Sequence, residues 1–195
     1  AMDFTPASQA ALKTVIKLAC SSGADVHVLH VIEPLRNFKS TAIEHLHTRY
    51  ERQRTLELFQ TLETEMAEHG GSLKGCLEVA AAVSETIVSV ASRVAADLIV
   101  VGTGTHSVNR TVGLTAQAVM EQAEPPVLVL HPESPGSDIR TILCPVDHSS
   151  VSRRGLRNAI ALAKVLSAKL IWLSVIPEVS WLTAAAEIGE ITDVK

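Results

Sequence analysis

Asp97-Leu-Ile-Val-Val-Gly-Thr-Gly-Thr-His-Ser-Val-Asn-Arg-Thr-Val-Gly113 runs from an unbroken apolar stretch into a loop rich in glycine and hydroxyl side chains. An apolar run without polar alternation suits a parallel strand covered on both faces. The loop leads into a segment that reads as a helix to about Ala123, and Pro125-Pro126 then precedes a strand over Val127–His131. Upstream, Ile87, Val90, Ala91 and Val94 share one side of a predicted helix over Ser84–Ala95, and Cys76–Ala80 is a short strand candidate. Strands alternating with helices call for a right-handed, doubly wound parallel sheet.

Further outward lies a repeat. Shifted by 144 positions, Met2–Pro34 aligns with Val146–Glu178 without a gap, with ten identities in 33 positions, among them Asp3/Asp147, Ser8/Ser152, Leu12/Leu156, Leu29/Leu173 and Val31/Val175. The apolar matches follow from shared helix and strand patterning; the Asp and Ser matches in the turn do not, and they indicate duplication. Each copy reads as a cap-rich turn, a helix and a strand. In the first, Gly23 ends the helix, Asp25–Ile32 is the strand, and a longer helix follows from about Ser40 to Glu68. Gly70-Gly71 stops that helix, along which Ile43, Leu46, Tyr50, Leu56, Phe59, Leu62 and Met66 recur at steps of three, four or six. The second copy opens with a strand over Ile139–Val146, whereas only Ala1-Met2 precede Asp3. The expected organisation is a domain over 1–132 without its first strand, a linker over 133–138, and the N-terminal half of a second such domain over 139–195.

Composition narrows the function. Hydrophobic residues are 47% of the 195, charged ones 19% and aromatic ones 3%, which predicts a folded chain with an aliphatic core. A net charge of −4 offers no basic stripe for a phosphate backbone, so no nucleic acid is expected as partner. Cys20, Cys76 and Cys144 are too scattered for a disulfide framework or a Cys-x-x-Cys metal site. No apolar run reaches the ~20 residues of a membrane span, and the N-terminal residues lack a signal-peptide layout. No membrane association and a cytoplasmic location are expected.

In doubly wound sheets ligands sit at the carboxyl ends of the strands, where helix N-termini offer N–H groups to an anion. Three segments converge there: the Asp3 turn, His30-Val31-Ile32-Glu33, and the Gly102–Gly113 loop, whose Thr103, Thr105, Ser107 and Thr111 add hydroxyl donors. The alternative for Gly102 and Gly104 is a tight strand-to-helix turn with no ligand.

Val-Asp-x-Ser after a strand, His-Val-Ile at the end of the next, Asp-Leu-Ile-Val-Val-Gly-Thr before a Gly-rich loop and Pro-Val-Leu-Val at the last strand, in this order, resemble the universal stress protein family. The resemblance covers Asp3–His131 and Ile139–Glu178. It implies the adenine-nucleotide alpha-hydrolase-like fold and a nucleotide held without catalysis. Carried over, it places Asp3 at the adenosine end, the backbone of Val31 at the adenine, and Gly102 and Gly113 at the phosphates, with Thr103 and Gly104 between. The pattern Gly-x-x-Gly-x9-Gly-Ser/Thr fits imperfectly: Thr105 stands at the second glycine with Gly104 one place early, the loop to Gly113 is two residues short, and Leu114 replaces Ser/Thr unless Thr115 substitutes. The implied ligand is ATP or another adenine nucleotide, with or without Mg, and at most very slow hydrolysis. The alternative is a nucleotide-free, dimerising interaction module. In either, the Val127–Leu130 edge pairs with a second copy to make a homodimer.

Other residues carry less. A Rossmann reading fails because the third glycine falls at Ser107, and a Walker loop fails for want of Gly-Lys-Ser/Thr. His45 and His47 face different ways on a helix and suit solvent better than a metal. His27 and His30 lie on opposite faces of a strand, His30 bordering the cleft or capping. His106 is within reach of a phosphate, and Ser8 and Ser152 belong in the first helical turn rather than a nucleophile elbow. Two readings of the missing first strand stand: Thr141–Val146 fills its place, within the chain or by exchange between protomers, which would bring Asp147 to the cleft, or the sheet tolerates a distorted edge there.

Overall fold

Thr5 begins the first helix because its Oγ1 accepts the Ser8 N–H, leaving Pro6 in the first turn where a missing N–H costs nothing. This helix, α1, spans Pro6–Ser22 and ends at Gly23, whose φ of 68° only glycine adopts freely and whose N–H returns to the Ala19 carbonyl. The structure is a computed structural model and describes residues 1–35, 41–103, 112–131, 139–147 and 149–175. In chain order the further elements are β1 (Asp25–Ile32), α2 (Thr41–Glu68), β2 (Ser72–Val79), α3 (Val83–Arg93), β3 (Ile99–Gly102), α4 (Leu114–Gln122), β4 (Val127–Leu130), β5 (Thr141–Pro145), α5 (Ser150–Leu166) and β6 (Lys169–Leu173). They form two compact units, one from Ala1 to Arg140 with Val165–Ser167 and one from the remainder. The expected linker over 133–138 lies outside the described residues.

In the first unit β1 pairs with β2 and β3 with β4, both in parallel. β2 starts at Ser72, four residues before the expected Cys76, because Asp25↔Ser72 already begins the ladder and pairing outweighs the weak strand propensity of Ser72, Lys74 and Gly75. Helices cover both faces. Leu29, Ile99 and Val101 pack under α3 and α4 with Ile87, Val90, Ala91, Ala116 and Val119. Val26, Val28 and Leu73 pack under α1 and α2 with Ala19, Phe59 and Met66. Alternate residues of β1 therefore serve opposite cores, which is why its sequence reads as nearly continuous apolar. Each fully buried Val or Ile contributes about 1.5–3 kcal/mol.

Two expectations are corrected. Only the C-terminal half of the apolar series on α2 reaches the core: Phe59 and Met66 are buried, whereas Ile43, Leu46 and Tyr50 are exposed. At 100° per residue these three form a separate stripe, turned well away from Phe59 and Met66. The second correction concerns the first-strand slot between β1 and β3. Met2 N–H donates to the Leu29 carbonyl at 2.8 Å, and the Ala1 amino group donates to the Val100 carbonyl at 2.7 Å. Two residues thus bridge the carboxyl end of the slot, giving the lateral order β2, β1, Ala1-Met2, β3, β4. In the second unit Thr141–Pro145, β5, pairs in parallel with β6, from Thr141↔Lys169 to Pro145↔Leu173. A crossover through α5 closes that ladder locally, and insertion elsewhere would break all of it.

The second unit repeats the first at reduced scale. Val146 N–H donates to Leu173 at 2.8 Å, the counterpart of Met2 to Leu29. Trp172, the counterpart of the buried Val28, is 68% exposed.

Candidate functional site

Past Met2 the chain turns into α1, and the turn is held by its own side chains. Asp3 Oδ1 accepts from Thr5 Oγ1 at 2.6 Å and from Thr5 N–H at 3.1 Å, and the buried Ser8 donates its hydroxyl to the Thr5 carbonyl at 3.0 Å. Burial opposes the Asp3 carboxylate, but hydrogen bonds from Thr5 and Ser8 outweigh it and hold the group below the usual carboxylate range. The second copy repeats the arrangement: Asp147 accepts from Ser149 N–H at 2.8 Å, Ser149 Oγ accepts from Ser152 N–H at 3.0 Å, and Ser152 Oγ accepts from Asp147 N–H at 2.8 Å. Ser8 and Ser152 are first-turn residues, as expected. The duplicated Asp and Ser are thus explained by a helix-starting turn, and Asp147 serves the turn of its own unit.

Beside this turn the β1 ladder opens. Ile32 C=O accepts from Ala80 N–H on the β2 side, and Leu29 C=O accepts from Met2 N–H on the other. Backbone groups alternate sides along a strand, so Val31 turns its N–H and C=O toward Met2 and Asp3. A continued parallel ladder would give the Val31 N–H the Met2 carbonyl. That carbonyl instead takes His30 Nδ1 at 2.8 Å, and among the described residues Val31 N–H has no backbone acceptor. A carbonyl only accepts, so Nδ1 is the protonated nitrogen. Phe4 closes the group: its ring lies 4.7 Å from that of His30, and its φ of 61° is a left-handed conformation that favours glycine. Gln9 Nε2 donates to the Phe4 carbonyl at 3.1 Å. His30, which the sequence leaves between cleft and cap, is a cap on the Met2 carbonyl; no sequence pattern marks a phenylalanine such as Phe4 for a left-handed turn.

The third segment leaves β3. A Cβ on Gly102 would stand 3.0 Å from the Ala7 carbonyl carbon and from Ser8 N, so this glycine lets β3 approach the first turn of α1. Close packing against α1 therefore accounts for Gly102 without a phosphate. Thr103 N–H donates to Leu130, and its carbonyl accepts from Gly113 N–H at 3.1 Å, which closes the base of the loop. Thr103 is 7% exposed, and among the described residues its Oγ1 has no hydrogen-bond partner. Gly113 is the N-cap of α4 with no side-chain cap, so the N–H groups of Leu114, Thr115 and Ala116 begin the helix without one. The Leu114 side chain is 86% exposed. Gly104, Thr105, His106, Ser107 and Thr111 lie outside the described residues. Asp3, Val31, Gly102 and Thr103 therefore lie around the carboxyl ends of β1 and β3, with Gly113, Leu114 and Thr115 joined to them through Thr103.

With the geometry established, comparison with known proteins is decisive: the profile of the universal stress protein family matches residues 1–131 and 138–193. The chain belongs to the universal stress protein family. Its α/β fold is the adenine-nucleotide alpha-hydrolase-like fold of that family. Among solved structures, the hypothetical protein MJ0577 is 25% identical with a TM-score of 0.58, covering 67% of this chain and 91% of its own. The universal stress protein UspA from Lactobacillus plantarum is 24% identical with a TM-score of 0.57, covering 66% and 92%. PA1789 from Pseudomonas aeruginosa PAO1, of unknown function, has a TM-score of 0.64 at 18% identity, covering 92% of this chain and 59% of that one. No curated protein sequence matches the chain.

The residues fit the polar groups of an adenine nucleotide at two places: the open amide edge at Val31 and the N-terminus of α4, which has no side-chain cap. Among the described residues no three or more of His, Cys, Asp and Glu gather as a metal set. No helix among them is long and apolar enough to cross a membrane.

Proposed function

We propose that this universal stress protein is a non-catalytic stress-response and signalling module that binds an adenine nucleotide, ATP foremost, at the strand ends of its first unit. The observation that carries the reading is the open Val31 edge. A base presents a donor and an acceptor in one plane, and Val31 offers an acceptor and a donor on one side of β1 at the point where the ladder stops. Asp3, one turn away, suits the ribose hydroxyls. The N-terminus of α4 and the Thr103 hydroxyl suit the phosphates. A universal stress protein that shares the fold, at a TM-score of 0.50 and 19% identity, was crystallised with cAMP, which supports an adenine nucleotide as the class. In this reading the chain's residues bind and orient; no step needs a metal or a general base. A cytoplasmic setting, a tandem organisation and a homodimer formed through β4 complete it.

The interaction-module reading has one observation in its favour: Gly102 and Asp3 both have full structural duties without a ligand. Calorimetry with ATP, AMP and GTP separates the two. Saturable ATP binding near one per chain, weakened when GTP is substituted, supports the nucleotide module; no heat at millimolar ATP leaves the interaction module.

A further inference from the structure

The ladder between Met2 and β1 stops after a single hydrogen bond, and the way it stops assigns a role to His30. Met2 N–H reaches Leu29, so the next bond of a parallel ladder is Val31 N–H to the Met2 carbonyl. His30 Nδ1 holds that carbonyl at 2.8 Å instead. The same residue that points its backbone at β2 thus uses its side chain to cap the partner of its neighbour's amide. The second unit opens at the matching step after Val146 N–H to Leu173, with Ser174 in the place of His30. Divergence of the turn from the strand therefore belongs to the repeat. What His30 adds in the first unit is a donor that holds the Met2 carbonyl at 2.8 Å, and a ring that carries Phe4 at 4.7 Å.

We infer that His30 is a positioning residue that keeps the Val31 amide open by donating its Nδ1–H to the Met2 carbonyl, and that Phe4, seated on its ring, braces it. This rests on the adenine-nucleotide reading only for its consequence, since an open amide is a property of the ligand-free chain. Without His30 the Met2 carbonyl is released to take the Val31 N–H, the next bond of a parallel ladder. His30→Asn places a side-chain amide N–H where Nδ1 stood, restoring the cap but not the ring.

Amide hydrogen exchange at Val31, read by NMR on the full 195-residue chain, tests this together with ATP titration. His30→Ala is expected to slow Val31 exchange by at least about tenfold, and His30→Asn to return it to within about threefold of the parent. ATP affinity follows the same order, falling about tenfold in H30A and recovering in H30N. Equal Val31 exchange in all three folded proteins overturns the assignment, whether or not ATP binds. Slowed exchange in H30A with no ATP binding by the parent upholds it and sinks the nucleotide reading instead. Should H30A fail to fold, nitrogen shifts of the parent's imidazole decide: the neutral ring must carry its proton on Nδ1, and an Nε2–H tautomer overturns the inference.

Discussion

Gly102 lies against the first turn of α1 so closely that an added Cβ would stand 3.0 Å from Ser8 N. The contact is with backbone, which cannot swing aside as a side-chain end can. Gly102→Ala is therefore expected to destabilise the first unit by about 1–3 kcal/mol, as overpacking does. Thermal unfolding without nucleotide reads it directly. A G102A protein with the parent's melting temperature but no ATP binding would instead mark this glycine as part of a phosphate cradle.

Thr103 offers the converse experiment. Its hydroxyl is buried without a partner among the described residues, so Thr103→Val keeps the shape and removes an unsatisfied group. Ligand-free stability should hold or rise by about 1 kcal/mol. ATP affinity should fall roughly five- to tenfold if the hydroxyl meets the ligand, since one lost hydrogen bond is worth about that much. Unfolding midpoints and calorimetry on the same preparation separate the effects, and unchanged affinity removes Thr103 from the site.

The Asp3 carboxylate sets a pH dependence. Its native pKa lies below the ordinary 3.8, so the unfolded chain binds its proton first as pH falls. The stability it contributes is complete at neutral pH, begins to fade near 3.8 and is lost as pH passes through the lower native value. The stability gap between the parent and Asp3→Asn should accordingly be present at neutral pH and shrink under acid. Because Asp3 is exposed, the gap is modest. A gap that stays constant from neutral to strongly acidic pH would assign the effect to something other than this ionisation.

The proposed homodimer depends on the outer edge of β4. Leu130 C=O accepts from Thr103 N–H and Pro126 C=O from Ile99 N–H, so even-numbered residues of β4 bond to β3 and Val127 and Val129 turn their backbone outward. Val129→Pro removes an outward N–H while sparing the β3 ladder. Light scattering should give a dimer for the parent at about 10 μM, in line with an edge-paired interface, and a monomer for V129P. A monomeric parent at that concentration ends the proposal.

Much of the architecture was legible in the chain. Asp25–Ile32 was bounded to the residue, because β-branched residues end between Gly23 and Pro34. The ends of α1 and α2 followed from Gly23 and Gly70, where left-handed φ values leave only glycine comfortable. The boundary of β2 was not legible, since Ser72 and Lys74 join a strand only through their partners on β1. Nor was the exposure of Ile43, Leu46 and Tyr50: a mixed step of three, four and six residues does not say which turn of a long helix meets the sheet.

Hydrophobic period, caps and left-handed glycines are local properties, so the order of strands and helices, the duplicated Asp-and-Ser turn and the segments that meet at the strand ends can all be read from the chain. The tertiary structure decided what each site residue is for. Gly102 faces a helix backbone rather than open space, and Asp3 is engaged by Thr5. Met2 and His30, 28 positions apart, meet over a carbonyl that leaves Val31 open. β5 takes β6 as its ladder partner. Each of these turns on which of several chemically equivalent partners lies within hydrogen-bond or van der Waals reach. That is a matter of distances between segments remote along the chain, which only the folded packing fixes.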